Sequence, residues 1–420
     1  MSIEAAHRAI EAVWRIESAR LIAALARRVG DIGVAEDLAQ DALLAALERW
    51  PETGIPDNPG AWLMAAAKRR AIDQFRRARR IDEKHARIGN ELMDAEREAP
   101  DFDTPLDDEI GDDLLRLIFT ACHPVLSTEA RVALTLRLLG GLTTEEIARA
   151  FLVPTSTVAQ RIVRAKRTLA DARVAFEVPR GRALEERLAS VLEVVYLVFN
   201  EGYSATAGED WVRPALCEDA QRLGRVLAEL APAEPEVHGL VALMEIQASR
   251  LRARVGPNGE PVLLPDQDRS RWDRILIRRG LAALARAEAL GGALGPYALQ
   301  AAIAACHARA AAADDTDWAR IASLYAALAR LTPSPVVELN RAVAVGKAFG
   351  PAAGLEIADD LVGVPALASY HLLPAVRAEF LTELGRTDEA RVELERAITL
   401  TRNEGERRLL RARVSRLTVH

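Results

Sequence analysis

Arginine and glutamine side chains repeated along one face of a helix can read base edges, and the chain carries such a set between residues 155 and 167. Thr155, Ser156, Thr157, Gln160, Arg161, Arg164 and Arg167 stand apart from Val158, Ile162, Ala165 and Leu169, which recur at helical core spacing. Arginine pairs bidentately with guanine or with phosphate, and glutamine with adenine. A second set is cationic. Between Asn58 and Arg80, the side chains of Lys68, Arg69, Arg76, Arg77 and Arg80 accompany an apolar stripe of Met64, Ala67, Ala71, Phe75 and Ala78, with Trp62 near the start. Guanidinium groups so spaced follow a phosphate backbone and gain affinity by releasing counterions. A third set is acidic: Asp37, Gln40, Asp41 and Glu48 share one side of the segment 36–48. That side repels DNA and suits a protein partner, although such a stripe taken alone is ordinarily a solvated face.

Two helices must position the first set. Thr143 stands where it can cap a helix, Glu146 three residues on completes a capping box, and Ile147 and Phe151 give that helix a buried face. Pro154 then punctuates before the helix that carries Gln160 and Arg164, which makes the pair a helix-turn-helix. An amphipathic helical hairpin with a solvated basic face is the competing reading of this pair alone.

Taken in order, Glu36-Asp37-Leu38-Ala39-Gln40-Asp41, then Trp62-Leu63 to Asp73 with Arg76-Arg77, then the helix-turn-helix ending Arg164-Ala165-Lys166 resemble the bacterial RNA polymerase sigma factors of the extracytoplasmic-function group. The resemblance covers the chain to about residue 175, and the remainder resembles the C-terminal extension with TPR-like helices found in one subgroup. It implies that Asp37, Gln40, Asp41 and Glu48 dock on the clamp helices of the largest polymerase subunit. It implies −10 element contacts from Asn58, Trp62, Lys68, Arg69, Arg76, Arg77 and Arg80, with the loop Trp50 to Asn58 where the family captures a flipped-out base. Recognition of the −35 element falls to Thr155, Ser156, Thr157, Gln160, Arg161, Arg164 and Arg167. The family often has asparagine where this chain has Arg69 after Lys68. Core RNA polymerase, promoter DNA and a small YCII-like protein are the partners the resemblance implies, together with contact between the extension and the sigma modules.

The expected architecture is all-α: a first sigma module at 1–80, an acidic flexible linker at 81–113, a helix-turn-helix module at 114–176, and a TPR-like α-solenoid at 177–420. The linker assignment rests on composition. Asp and Glu crowd between Glu91 and Asp113 beside Pro100 and Pro105, and like charges with proline favour an extended strap. Beyond Arg173 the chain becomes alanine- and leucine-rich amphipathic segments: 184–200, 212–230, 235–253, 272–290, 297–312 and 318–331, with a hairpin or loop excursion at 255–262. Paired helices follow, with an offset near the TPR period. Asp266 to Trp272 and Asp314 to Trp318 read as helix caps with tryptophan anchors, or as contacts toward the sigma modules.

With 420 residues there is room for about three domains on the usual size prior. The formal net charge of −6 is unusual for a DNA binder, but it averages over a chain whose basic residues cluster. A factor mounted on a large polymerase does not need strong DNA binding of its own. Cys122, Cys217 and Cys306 are too few for a disulfide framework, and Cys122-His123 and Cys306-His307 lack further ligands at metal-binding spacing. Neither a metal nor a cofactor is expected. No segment reads as a signal peptide or a membrane span, so a cytoplasmic location is expected. Gly346-Lys347 lacks the rest of a P-loop and no nucleophile elbow occurs, so an enzyme is not expected. Two alternatives are an operator-binding helix-turn-helix regulator with a TPR-like sensor, and a TPR scaffold without DNA binding. Neither requires the first two residue sets.

Overall fold

The computed structural model describes residues 3–86, 110–151, 153–203, 212–257, 261–401 and 404–417. The chain forms two compact units, Met1–Val194 and Val195–His420. The first contains α1 (Ile3–Val29), α2 (Ile32–Thr53), α3 (Pro59–Ala86), α4 (Ile110–Ala121), α5 (Thr128–Leu138), α6 (Thr144–Phe151), α7 (Thr155–Asp171) and the first half of α8 (Arg182–Tyr203). The break therefore falls inside α8, whose residues 182–194 belong with the helix-turn-helix.

Local chemistry explains the boundaries. Asp31 caps α2 by accepting hydrogen bonds from the N–H groups of Gly33 (2.7 Å) and Val34 (3.0 Å), and Gly54, with φ of 83°, ends it. Ile32, Ala35, Leu38, Ala39, Ala42 and Ala46 form its buried stripe. α2 runs further than the sequence implied. Trp50 lies within it, buried, its ring edge-on to Trp62 with centroids 5.2 Å apart, so the loop before α3 spans only 54–58.

The linker is also shorter at both ends than composition suggested. Residues 81–86 continue α3 and 110–113 open α4, while 87–109 lie outside the described residues. Asp113, assigned to the solvated strap, is buried: Arg116 donates to it at 2.6 Å and Arg27 of α1 lies 3.5 Å away. A carboxylate with two guanidinium partners tolerates burial that a free one would not. α4 packs on α1, so the two sigma modules are in contact.

The second unit continues with α9 (Pro214–Leu230), α10 (Pro235–Ala248), α11 (Arg274–Ala289), α12 (Pro296–Arg309), α13 (Trp318–Leu331), α14 (Pro335–Phe349), α15 (Pro351–Asp360), α16 (Leu372–Glu383), α17 (Thr387–Leu400) and α18 (Glu404–Leu417). From α9 onward each helix packs on the next, the arrangement of a TPR-like α-solenoid. Prolines start five of these helices, where a missing N–H costs nothing. α10 ends at Ala248 and a short 3-10 turn carries the chain through Ala253, and a single antiparallel bridge between Val255 and Pro261 closes the excursion foreseen there. Asp317 caps α13 as its cluster suggested, whereas α11 is capped by Asp273, one residue past the 266–272 cluster, whose Asp268 caps a 3-10 turn beside buried Trp272. All three cysteines are buried and unpaired with one another. Burial pushes the thiols of Cys122 and Cys217 up to about 11 and about 12, which keeps them protonated and inert.

Candidate nucleic-acid interface

The helix-turn-helix is built as its sequence indicates. The Thr143 hydroxyl accepts from the Glu146 N–H at 3.1 Å, and Glu146 accepts from the Thr143 N–H at 2.7 Å, a reciprocal capping box on α6. Ile147 is buried on α6, and Val158, Ile162, Ala165 and Leu169 are buried on α7. That burial turns Thr155, Ser156, Gln160, Arg164 and Arg167 to solvent, with Thr157 and Arg161 half-buried. Pro154 stands at the N-cap of α7 and offers no side-chain cap to its first-turn amides. Uncapped amides at a helix start attract phosphate. Among the polar groups Val163 is 65% exposed. An apolar side chain at this place suits a thymine methyl, and a search restricted to polar residue types passes over it.

α3 supplies a second cationic surface. Arg69, Arg70 and Arg76 are exposed and Lys68 is half-buried. The Arg69 Nε donates to the Ala65 carbonyl at 3.2 Å, which lays the side chain back along its own helix. Arg70 was not singled out from the sequence. The side chains of Arg77 and Arg80 lie outside the described residues. Asn58 has a structural duty, since its Oδ1 accepts from the Ala61 N–H at 3.0 Å at the start of α3.

On α2, Asp37 and Glu48 are exposed, and Gln40 and Asp41 are half-buried. The unexpected residue is Glu36. Its side chain is 3% exposed, and Arg137 of α5 reaches it at 2.6 Å and Lys166 of α7 at 2.6 Å. Gln40 donates to the same carboxylate at 2.6 Å, and Lys166 lies 4.0 Å from Asp37. Burial by itself would raise the Glu36 pKa; the charges and hydrogen bonds of Lys166 and Arg137 outweigh it and hold the carboxyl below its ordinary value of 4.5. One buried carboxylate thus joins the acidic helix to the helix-turn-helix. A signal was present: Glu36 falls on the stripe of Ile32 and Ala39, where a carboxylate needs a buried cation.

The first half of α8 is fastened to the same module. Ser190 donates to the Cys122 carbonyl at 2.6 Å and Arg187 to the Phe119 carbonyl at 2.9 Å, satisfying groups at the end of α4 that the helix leaves open. Arg131 of α5 pairs with Glu193 at 3.0 Å and also donates to Ser190.

A helix-turn-helix with an exposed arginine and glutamine face, joined to a helical module with its own cationic helix, defines an all-α DNA-binding protein of modular build. Comparison sharpens this class. Residues 16–81 match Sigma-70 region 2, residues 116–169 match Sigma-70, region 4, and residues 187–288 match a family of unknown function (DUF6596). ECF RNA polymerase sigma factor SigC of Mycobacterium tuberculosis is 31% identical over 147 residues, covering 34% of this chain and 73% of that protein. Probable ECF RNA polymerase sigma factor SigI of the same species is 33% identical over 172 residues, 41% of this chain and 58% of that one. An uncharacterized protein of Rhizobium meliloti, R00370, is 44% identical over 396 residues, 94% of this chain and 92% of its own. The chain belongs to the extracytoplasmic-function family of RNA polymerase sigma factors, in the form that carries a C-terminal helical extension. Among the described residues no helix is long and apolar enough to cross a membrane.

Proposed function

We propose that this sigma factor acts in the cytoplasm, binds core RNA polymerase through the α2 face of Asp37, Gln40, Asp41 and Glu48, and reads promoter DNA with α3 and α7. The observation that carries the reading is the exposed face of α7, where Ser156, Gln160, Arg164 and Arg167 turn outward because Val158, Ile162, Ala165 and Leu169 turn in. Thr155, Thr157 and Arg161 flank this −35 surface, and Val163 adds an apolar contact to it. On α3, Lys68, Arg69 and Arg76 serve the −10 element, with Arg70 as an added phosphate contact. No catalytic step belongs to this role. Asp37→Arg with Asp41→Arg is expected to abolish capture of core polymerase, because like charges set against an interface cost several kcal/mol, while helical content stays unchanged. Undiminished pull-down of core subunits by the variant would move the polymerase surface elsewhere.

Control by the extension is part of the proposal. The supporting observation is that the first half of α8 is hydrogen-bonded to the end of α4 while the helix continues into the second unit, and we favour an activating role for the extension. Run-off transcription by a chain ending at Tyr203, which keeps α8, is expected to fall below that of the full chain. Output above the full chain would make the extension an inhibitory clamp.

A further inference from the structure

The second unit contains a cleft, partly open to solvent, of about 290 Å³ that none of the promoter-binding roles uses. Carboxamides reach it from four alternate helices: Asn200 on α8, Gln247 on α10, Gln300 on α12 and Asn340 on α14. Tyr196, Tyr203 and Tyr325 contribute ring faces and hydroxyls. Among the described residues, no Asp, Glu, Lys, Arg or His lines the space.

The polar groups are oriented from behind. Arg250, 8% exposed, donates to the Tyr203 hydroxyl at 2.6 Å and to the Gln247 side chain. A guanidinium only donates, so Gln247 turns its oxygen toward Arg250 and retains its NH₂ group for the cavity, and Tyr203 retains its hydroxyl proton. Tyr196 donates to Gln300 at 3.2 Å, and Gln300 donates to the Pro296 carbonyl at 3.1 Å, which fixes that carboxamide too. Burial pushes the Tyr325 phenol up to about 12, so it stays a neutral hydroxyl.

These walls select by charge, shape and size. No charged side chain lines the space, and the nearest guanidinium, Arg250, is already engaged by Tyr203 and Gln247 behind the wall, so an ionised ligand would lose its hydration without a counter-charge in contact. Ring faces favour a flat or puckered ring with an apolar side, and carboxamides and hydroxyls favour hydrogen-bonding groups on its rim. The volume is that of roughly ten waters at about 30 Å³ each, the scale of one small ring compound. We propose that this cavity binds a compact uncharged ring compound with an apolar face and a hydrogen-bonding rim, the chemistry shared by neutral sugars and nucleosides. The site stands apart from the control assigned to the extension, because occupancy is read directly.

The test is calorimetric titration of the full chain with glucose, galactose, myo-inositol, adenosine and uridine, alongside glucose 6-phosphate, glucuronate and AMP. Saturable one-to-one binding of at least one neutral probe is expected, with its charged counterpart at least tenfold weaker, and the sugar and nucleoside arms show which source supplies the ring. Asn200→Ala with Asn340→Ala, both at exposed positions, is expected to weaken that binding about tenfold, the effect of two lost hydrogen bonds; Asn200 also hydrogen-bonds Tyr196, so the melting temperature of the free chain is read alongside. Should the double variant melt lower, each single substitution is read in its place. No binding by any neutral probe, equal binding of the charged compounds, or full affinity in the variants overturns the proposal.

Discussion

Lys166 of α7 places its ammonium 2.6 Å from the buried carboxylate of Glu36 on α2. The acidic helix and the recognition helix of the helix-turn-helix are therefore tied by a buried ion pair, and Arg137 completes it from α5 at 2.6 Å. If core polymerase takes the α2 face, as proposed, it meets Lys166 4.0 Å from Asp37, and docking would compete with this latch for the same carboxylates.

A double-mutant cycle of Glu36→Gln and Lys166→Met in the full chain is expected to give a coupling energy of about 1–3 kcal/mol. Glu36→Gln alone is expected to cost about 2–3 kcal/mol, near the low end for a broken buried pair, because both cations keep some access to water. Urea unfolding measures both. A coupling near zero would leave Arg137 with Glu36, Arg27 with Asp113 and the packing of α1 on α4 to hold the two modules.

The latch has a defined acid limit. Since the folded Glu36 pKa is depressed below 4.5, the stability it contributes is fully present above that ordinary value and is lost as pH falls through the lower folded value. The stability difference between the native chain and Glu36→Gln is expected to stay flat from pH 7 to about 5 and to shrink in more acid solution. A difference that instead grew below pH 4.5 would contradict the assignment.

On α7, Arg164→Ala is expected to weaken holoenzyme binding at the −35 element more than Arg161→Ala does, because Arg164 is exposed whereas Arg161 is half-buried and its charge is felt by Glu129. Loss of a bidentate base contact costs about 1–3 kcal/mol at one base pair, while a lost phosphate contact lowers all affinities alike and reduces the salt slope. Binding to single-substituted −35 fragments over a salt series separates the two. Equal binding by the native and Arg164→Ala holoenzymes would remove Arg164 from the surface.

In the solenoid, Gly354→Ala is expected to destabilise the second unit by about 1–3 kcal/mol through overpacking. A Cβ there would lie 2.6 Å from the Phe380 ring, 2.8 Å from the Ala342 carbonyl oxygen and 2.8 Å from the Gly346 Cα. α14 and α15 approach closely at this point and Phe380 fills the remaining space, so no flexible group can yield. A lower urea midpoint is the readout, and an unchanged one would show a looser hairpin.

What the sequence by itself determined were features whose physics is local. The capping box of Thr143 and Glu146, the burial of Val158 and Ile162 opposite Arg164, and the helix cap at Asp317 each depend on neighbours within one or two turns. Periodicity tells which face of a helix is buried, and so it also turned Gln160 and Arg167 outward. It does not tell what the buried face meets. Composition made 81–113 a strap, yet Asp113 is buried because Arg27 and Arg116 happen to converge on it. Only the tertiary structure brought Lys166 to Glu36, carried α8 across from the helix-turn-helix to the solenoid, and set carboxamides from four separate helices around one cavity. Those pairings join residues far apart in the chain, and their energy comes from the simultaneous fit of whole helices, which no short window of residues contains.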